Sequence, residues 1–502
     1  MSPTYTHQFN TAAYKGAATI NTGLFIDGEW VAPVEGGEIE VINPATGAVI
    51  TKVSAGTKAD VDKAVAAAKK AFKTTWGSKA PGALRAKLIG KLADLLEKNV
   101  DEFAALESLN IGKVFAHAKH MDLAISITIL RYFAGWADKI HGTTIESTDA
   151  KVGLVQREPY GVCGQITPWN GPIAMIAMKV APALATGNVI VLKPSEITPF
   201  TALRFADLVV EAGFPPGVVN IVNGFGHTVG QAIAEHPQIS KVAFTGSTVT
   251  GRKILKAAAD SNLKPVSLEL GGKSPTIVFD DADLDQAVKW AAAGVFSNMG
   301  QMCVAGSRIF VQEGVYDEFL AKISAAAKAL GDAAGDPFAE GTQHGPQISK
   351  TQVDRVMSYI ESGKAEGATV HVGGVRIGDE GYFVQPTVFT DVNKDMKIAR
   401  EEIFGPVTAV FKFKTEEEVI ELANDTVYGL AAYVFSENIR RGLRVANALE
   451  AGSVAVNSAN LFDPSMPFGG YKQSGIGREL GEQAIESYTQ AKSIHINLGI
   501  RL

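Results

Sequence analysis

Residues 241–251 read Lys-Val-Ala-Phe-Thr-Gly-Ser-Thr-Val-Thr-Gly. The first residues form a short, mostly apolar run typical of a buried strand, and apolar residues at helical spacing begin at Thr250 and continue to Asp260. The run from Gly246 to Gly251 therefore joins a strand to a helix. At such a junction the backbone N–H groups of Gly246 and Ser247 and the Ser247 hydroxyl can bind a pyrophosphate.

The same alternation of strand and helix continues on both sides of this stretch. It implies a doubly wound parallel sheet of the Rossmann-like α/β class, with its ligand site beyond the carboxyl ends of the strands. Strands are predicted at 161–166, 189–192, 218–222, 241–244 and 266–270, and helices at 174–185, 199–212, 228–235 and 250–260.

A second α/β series follows, and it predicts a separate catalytic domain. Its elements are expected at 276–279, 284–296, 307–311, 315–330, 351–366, 368–372, 384–390, 407–413 and 431–435. The alternation at 493–498 predicts a final edge strand, which a second subunit would cover in a small β oligomerisation element. The expected divisions are 1–140 and 161–270 for the cofactor domain, 271–470 for the catalytic domain, and 141–160 with 485–502 for the oligomerisation element.

The segment before the first βα unit has a different pattern. Residues 1–22 are polar and small, which predicts a loosely held lead-in. A hairpin is expected at 24–31, and a strand with a turn at 40–47. Helices are predicted at 59–72, with Thr57 as its cap, and at 85–98, 100–109 and 121–141.

Composition narrows the class of protein. A chain of 502 residues exceeds the size at which one core stops growing, so two or three structural units are expected. The net charge of -6 argues against nucleic-acid binding, and the longest apolar windows are too short to span a membrane. Two cysteines in so long a chain indicate a reducing compartment, so the cytoplasm is expected, with the mitochondrion as the alternative.

Three residues are candidates for covalent chemistry. Cys303 lies among small residues in Gly300-Gln-Met-Cys303, Glu269 in Leu268-Glu-Leu-Gly-Gly272, and Asn170 in Thr167-Pro-Trp-Asn170. A thiol, a carboxylate and an amide are the groups that nucleophilic attack on a carbonyl requires. The alternatives are a buried structural thiol for Cys303, a paired structural carboxylate for Glu269 and a turn residue for Asn170.

Seven blocks in order make the chain resemble the aldehyde dehydrogenase superfamily, most closely its broad-specificity NAD-dependent enzymes of the cytosolic and mitochondrial type. Besides the three already quoted, they are Lys193-Pro-Ser-Glu196, Phe244-Thr-Gly-Ser247, Glu401-Glu-Ile-Phe-Gly-Pro406 and Pro467-Phe-Gly-Gly470.

The resemblance implies oxidation of aldehydes to carboxylic acids. Cys303 would form a thiohemiacetal, with its oxyanion held by the Asn170 amide and the Cys303 N–H, and then a thioester. Glu269 would act as general base in the hydrolysis of that thioester. Lys179 resembles a lysine near the proton path, although a lysine on a helix face is more often simply solvated. The other readings are a catalytically idle relative and a narrow semialdehyde or betaine-aldehyde specialist.

The resemblance also implies NAD as the cofactor and a homotetramer, with a dimer as the alternative. The Gly-x-Gly-x-x-Gly fingerprint is missing after every predicted strand. Because a carboxylate at Glu196 repels a 2′-phosphate, NAD is expected rather than NADP. By resemblance, Lys193 and Glu196 bind the ribose of the adenosine half, and Ile166, Trp169 and Gly226 line the same cofactor. Glu402 and Phe404 are the expected contacts of the nicotinamide ribose and ring, and Gln352 is a further candidate. No clustered ligand motif predicts a metal.

The expected aldehyde tunnel rests on resemblance as well. Gly171 departs from the family pattern, because close relatives carry a bulky aromatic residue directly after the asparagine. Its absence should widen the tunnel for aromatic or branched aldehydes. The other expected tunnel residues are Ile125, Met178, Met302, Val304, Phe462 and Phe468.

Overall fold

The structure, a computed structural model, describes residues 3–502. Its first part contains two antiparallel hairpins, a further strand pair and a group of helices. The strands are β1 (Thr4–Asn10), β2 (Lys15–Asn21), β3 (Leu24–Ile26), β4 (Glu29–Val31), β5 (Glu38–Ile42) and β6 (Val49–Ser54). The helices are α1 (Lys58–Thr74), α2 (Gly82–Lys98), α3 (Val100–Ile111), α4 (Phe115–His117) and α5 (Ala124–Trp136).

The middle of the chain alternates strand and helix. Its elements are β7 (Thr143–Thr148), β8 (Lys151–Pro159), β9 (Val162–Ile166), α6 (Pro172–Ala185), β10 (Val189–Lys193), α7 (Phe200–Ala212), β11 (Val219–Ile221), α8 (Gln231–Glu235), β12 (Lys241–Thr245), α9 (Thr248–Ser261) and β13 (Val266–Glu269).

The last part repeats the alternation and ends on a long strand. Its elements are β14 (Pro275–Val278), α10 (Leu284–Phe296), β15 (Arg308–Gln312), α11 (Tyr316–Asp332), α12 (Lys350–Ala365), β16 (Thr369–Val372), β17 (Thr387–Thr390), α13 (Lys397–Arg400), β18 (Val407–Phe413), α14 (Glu416–Asn424), β19 (Ala431–Phe435), α15 (Ile439–Ala448), β20 (Ser453–Val456), β21 (Gly475–Ile476), α16 (Gly481–Ser487) and β22 (Thr489–Asn497).

An eight-stranded sheet confirms the predicted doubly wound α/β architecture. Its order is β21-β13-β12-β9-β10-β11-β3-β4, and the five strands from β13 to β11 are parallel. The chain runs outward from β9 through β10 to β11 and then returns to the other side of β9 to form β12 and β13. The order therefore reverses at β9, and the crevice beyond its carboxyl end is where such sheets bind ligands.

A seven-stranded sheet forms the second α/β unit, with the order β16-β17-β18-β15-β14-β19-β20. All its neighbouring strands are parallel except the pair β16 and β17. Residues 270–274 lead directly from β13, in the first sheet, to β14, in the second. This connection between the two sheets begins directly after Glu269, the predicted base.

The C-terminal strand lies apart from both large sheets. It pairs along its whole length with β8, and β8 pairs in turn with β7, whose six residues are all exposed. The three-stranded sheet thus joins the segments around 143–159 and 489–497. Its role in contacts between subunits remains a prediction.

The two-residue strand β21 connects the C-terminal region to the first sheet. It pairs with the end of β13, where Leu268 lies opposite Ile476 and Glu269 opposite Gly475. A Cβ at position 475 would collide with the Leu268 carbonyl oxygen, so only glycine allows this close approach. The backbone of Glu269 is therefore held from the far end of the chain.

Four local predictions differ from the structure, one in the type of element and three in the bounds of the element. Residues 4–21 form the hairpin β1–β2, because Phe9, Ala18 and Ile20 bury their side chains; the first two residues of the expected lead-in lie outside the described part. The helix expected to reach 141 ends at Trp136, because the Ala137 carbonyl oxygen accepts a hydrogen bond from the Arg85 guanidinium.

The other two differences are at 228–235 and 384–390. The first begins as a π-helical turn, Gly226–Gly230, before α8. The second is a strand only from Thr387, because Pro386 has no N–H group with which to continue the ladder.

Candidate active site

A left-handed turn directly precedes the predicted nucleophile. After α10 ends, Asn298, Met299 and Gly300 have φ values of 49°, 57° and 71°. Such conformations cost roughly 1–2 kcal/mol for a residue with a side chain, so the surrounding contacts must stabilise them. A Cβ at position 300 would collide with the Gly405 carbonyl oxygen. The turn therefore brings the Cys303 segment against the loop that carries Glu402 and Phe404.

Hydrogen bonds tie Asn170 to this turn. Its Nδ2 donates to the Gln301 carbonyl oxygen over 2.9 Å. Its own carbonyl oxygen accepts from Asn298 Nδ2 over 2.9 Å and from Lys113 Nζ over 3.2 Å. The predicted oxyanion donor is thus fixed beside the chain two residues before Cys303, and the second hydrogen of its amide is left for another acceptor.

Cys303 is half-buried and protonated at rest. Burial, reinforced by the negative charges of Glu402 and Glu269, raises the pKa of its thiol to about 12, against a smaller lowering effect of its own N–H and that of Val304. A Cβ at position 272 would collide with the Cys303 carbonyl oxygen, so the segment after Glu269 packs directly on the cysteine. The thiol must therefore pass its proton to a nearby base as it reacts.

Glu269 is a buried carboxyl group at the end of β13, with 4% of its surface exposed. Within residues 3–502 its Oε2 makes no hydrogen bond. Burial and the neighbouring Glu479 raise its pKa well above the usual value, and Lys179 and Arg478 oppose that shift. A carboxyl group with a raised pKa and an unpaired oxygen is suited to accept and return a proton.

Lys179 is buried and ion-paired, which excludes the alternative of a solvated lysine on a helix face and leaves its role near the proton path a prediction. Its ammonium group contacts Glu479 Oε1, and both side chains are almost completely enclosed. Glu479 itself was missed by sequence reasoning, and its negative charge is one of the causes that raise the pKa of Glu269. The result is a buried cluster of two carboxyl groups and one amine.

The predicted adenosine-ribose ligands come together beyond β10. Lys193 Nζ lies 2.8 Å from Glu196 Oε2, and Ile166 lies opposite Lys193 in the sheet. Burial raises the pKa of Glu196, but Lys193 and a backbone N–H from Gly226 lower it more, so the carboxylate is charged. The space next to Gly226 is open.

The predicted nicotinamide-side residues also gather in one place. Gln352 Nε2 donates to the Phe404 carbonyl oxygen over 2.7 Å, and the Phe404 ring meets Trp169 edge to face at 5.2 Å between centroids. Glu402 Oε1 accepts from the Gly272 N–H over 3.1 Å, and burial raises the pKa of Glu402 to about 7. Arg355, which the sequence did not single out, holds the Glu402 carbonyl oxygen over 2.7 Å.

The start of α9 lies between these two groups of residues. Ser247 caps the helix by accepting from the Thr250 N–H over 3.3 Å, and the Gly246 N–H donates to the Glu269 carbonyl oxygen over 3.0 Å. The junction quoted from the sequence therefore opens at the carboxyl edge of the sheet, next to the catalytic candidates. Its first-turn N–H groups form a suitable anion site.

The expected tunnel residues lie on several different elements. Met302 and Val304 adjoin Cys303 in sequence, Ile125 is on α5, and Met178 is on α6. Phe462 and Phe468 pack with their ring centroids 5.4 Å apart. A Cβ added at Gly171 would have only Asp122 Oδ1 within 4 Å, at 3.7 Å, so this position has room for a side chain. That these residues form one tunnel remains a prediction.

Two kinds of feature are absent from residues 3–502. No group of three histidine, cysteine, aspartate or glutamate side chains is placed to hold a metal ion. No helix in the same range combines the length and apolar character that a bilayer crossing needs. The second cysteine, Cys163, is unpaired and completely buried in β9.

Comparisons with known proteins agree on one family. The model of the aldehyde dehydrogenase family matches residues 30–494. The chain is 58% identical to an aldehyde dehydrogenase of Agaricus bisporus over 502 residues, which is 100% of both chains. It is 52% identical to mouse aldehyde dehydrogenase, cytosolic 1, over 95% of both chains. Its fold is similar to the NAD+ complex of an aldehyde dehydrogenase from Bacillus cereus, with a TM-score of 0.94, 49% identity, and coverage of 95% of this chain and 97% of that one.

Proposed function

This chain belongs to the aldehyde dehydrogenase family, and we propose that it oxidises aldehydes to carboxylic acids with NAD+. The observation that carries the proposal is the position of Cys303. One side of its segment is tied to the Asn170 amide, and the other is packed on the segment that follows Glu269. A nucleophile, an oxyanion donor and a base are thereby assembled around one site.

The residues present fit a dinucleotide. Glu196 is charged, faces open space at Gly226 and can accept hydrogen bonds from two ribose hydroxyls. Glu402 has one oxygen bound by the Gly272 N–H and another left for the second ribose. The start of α9 lies between them and suits the pyrophosphate. The chemistry that NAD+ supplies when bound is acceptance of a hydride from the tetrahedral carbon.

Cys303 begins the reaction by adding its sulfur to the aldehyde carbon. The thiol gives its proton to water as the carbon–sulfur bond forms, and the carbonyl oxygen becomes an oxyanion. The free hydrogen of Asn170 Nδ2 and the backbone N–H of Cys303 can donate to it. Because both donors are fixed before the substrate arrives, losing one should cost about 10²–10³ in rate.

Glu269 completes the cycle after hydride loss has left a thioester on Cys303. It takes a proton from water, whose oxygen attacks the thioester carbon, and the carbon–sulfur bond breaks to release the acid and the Cys303 thiolate. The proton can then pass toward Glu479 and Lys179, which lie in the same buried cluster. This use of Glu269 distinguishes thioester hydrolysis from transfer to another acyl acceptor.

The direct test is NADH formation by the purified protein with a panel of aliphatic and aromatic aldehydes. We expect NADH and the corresponding acid in equal amounts. Acid without NADH, or no product from any aldehyde with either NAD+ or NADP+, would contradict the proposal.

Replacing Glu196 with glutamine should relax the preference for NAD+. The charged carboxylate repels a 2′-phosphate. If the substitution removes about 1.4 kcal/mol of repulsion free energy, kcat/KM for NADP+ should rise about tenfold. Steady-state kinetics with both cofactors measure the ratio, and Glu196→Asp, which keeps the charge, is the matched control. An equal ratio in all three proteins would show that Glu196 does not set the choice.

Replacing Gly171 with phenylalanine should narrow the aldehyde site. A ring at this open position is expected to lower kcat/KM for benzaldehyde-type substrates about tenfold relative to short aliphatic ones. Gly171→Ala is the control for backbone effects. If the order of substrates were the same in both variants and the parent, Gly171 would not be part of the substrate path.

A further inference from the structure

Asp122 is a half-buried carboxylate beside the predicted oxyanion donor, and the proposed reaction gives it no role. Its Oδ2 is ion-paired with Lys113 Nζ over 2.7 Å, with 13% of the Asp122 side chain and 3% of the Lys113 side chain exposed. The same Nζ donates to the Asn170 carbonyl oxygen over 3.2 Å. One ammonium group therefore bridges the two residues and fixes Asp122 relative to Asn170.

The second carboxylate oxygen of Asp122, Oδ1, is left to accept a hydrogen bond from another molecule. Lys113 binds only Oδ2, and no donor in the part of the chain that the structure describes, residues 3–502, bonds to Oδ1. An ionised carboxylate has acceptor sites on both oxygens, so pairing through one of them leaves the other available.

The absence of a side chain at Gly171 leaves room directly beside this oxygen. A Cβ at position 171 would lie 3.7 Å from Asp122 Oδ1 and would have no other atom within 4 Å. Gly171 is itself buried, so this room lies inside the protein. Because Gly171 directly follows Asn170, the room adjoins the place where the Asn170 amide would bind the aldehyde oxygen.

The local helix geometry places Asp122 on the same side as an expected tunnel residue. Asp122 lies in a π-helical turn, Ala118–Leu123, immediately before α5. Such turns are rare and occur frequently at functional sites. Ile125, an expected tunnel residue, is partly buried and follows Asp122 by three positions, a spacing that puts two side chains on one side of a helix.

We propose that Asp122 is a specificity-determining residue, whose Oδ1 accepts a hydrogen bond from a hydroxyl group of the aldehyde, so that hydroxyaldehydes are preferred substrates. The charge of Asp122 is balanced by Lys113, which favours a neutral hydroxyl over a cationic ammonium group as the donor. This role rests on the proposed function, because it concerns the substrate of the same site. A hydrogen bond to a charged acceptor should favour the hydroxyaldehyde about tenfold over an apolar analogue of the same shape.

The test uses pairs of aldehydes that differ only in the donor. Each pair has a hydroxyl group in one member and a methyl group in the same place in the other: glycolaldehyde with propanal, and meta- and para-(hydroxymethyl)benzaldehyde with meta- and para-ethylbenzaldehyde. NADH formation gives kcat/KM for each member. The ratio within a pair cancels any general loss of catalysis, and comparing ratios between proteins cancels the intrinsic reactivity of the aldehydes.

Three variants are compared with the parent. Asp122→Ala removes the acceptor, whereas Gly171→Val keeps the ion pair and covers Oδ1. Glu107→Gln is the matched control, because Glu107 is a neighbouring buried carboxyl group whose Oε1 accepts from the Ile173 N–H and the Thr201 hydroxyl.

We expect the ratio for at least one pair to fall about tenfold in Asp122→Ala and in Gly171→Val, and to stay at the parental value in Glu107→Gln. A parental ratio in Asp122→Ala for every pair, or an equal fall in Glu107→Gln, would overturn the role of Asp122. If Asp122→Ala does not fold, a parental ratio in Gly171→Val for every pair has the same meaning. Failure of the proposed function would look different, because neither member of any pair would then yield NADH.

Discussion

Replacing Cys303 with alanine should abolish NADH formation from every aldehyde, with a loss of at least about 10⁴-fold in kcat. Without the sulfur no tetrahedral thiohemiacetal forms, and an aldehyde carbon has no hydride to release readily. NADH absorbance measures the loss. Intact-protein mass spectrometry under trapping conditions should show an acyl adduct on the parent and none on the variant.

The matched control is Cys163→Ala, which removes the other cysteine from the interior of β9 and should leave the acyl adduct in place. The nucleophile assignment would fail if the Cys303→Ala protein, folded and able to bind NAD+, still produced NADH at the parental rate.

Replacing Glu269 with glutamine should separate thioester formation from its hydrolysis. We expect a rapid burst of NADH, then steady turnover slowed by about 10²–10⁴-fold, because the amide cannot take a proton from water. Stopped-flow absorbance resolves the two phases. Glu269→Asp, which keeps a shorter carboxylate, should recover part of the steady rate.

The pH dependence of the same step provides a second measurement. Burial and Glu479 raise the pKa of Glu269, and only its deprotonated form is a base. Hydrolysis in the parent should therefore slow as pH falls through that raised pKa, well above the range of an ordinary glutamate. The limb should vanish in Glu269→Gln, and a limb that persisted there would assign the base to another residue.

The first sheet was predictable because its central strands are buried on both faces and consist mostly of apolar residues. Such strands read as short unbroken runs, as at β10, where all five residues are buried. The hairpin β1–β2 was not predictable in this way, because small and polar residues surround the few apolar side chains that it buries.

The sequence predicted the site residues that lie within the seven quoted blocks. It did not predict residues such as Glu479, which contact them from distant parts of the chain. Glu479 reaches the cluster from 300 residues beyond Lys179, and no local pattern marks that approach. The burial of Lys179 could have been predicted from the amino-acid sequence of its helix. Helix α6 has no polar face apart from this lysine, and a single charge on a helix that is apolar all round indicates a buried, paired group.

Because β21 pairs with β13, the backbone of Glu269 has all its neighbours only after the C-terminal part of the chain has been synthesised. A nascent chain that has emerged only as far as Gly470 already contains the proposed nucleophile, Cys303, and the proposed oxyanion donor, Asn170. It still lacks Gly475, which pairs with the backbone of Glu269, and Glu479, whose negative charge raises the pKa of Glu269. On the proposed mechanism, the residues that support thioester hydrolysis are complete only when synthesis of the chain is almost finished. A premature stop codon between Gly470 and Glu479 would remove these residues but leave Cys303 and Asn170 in the chain.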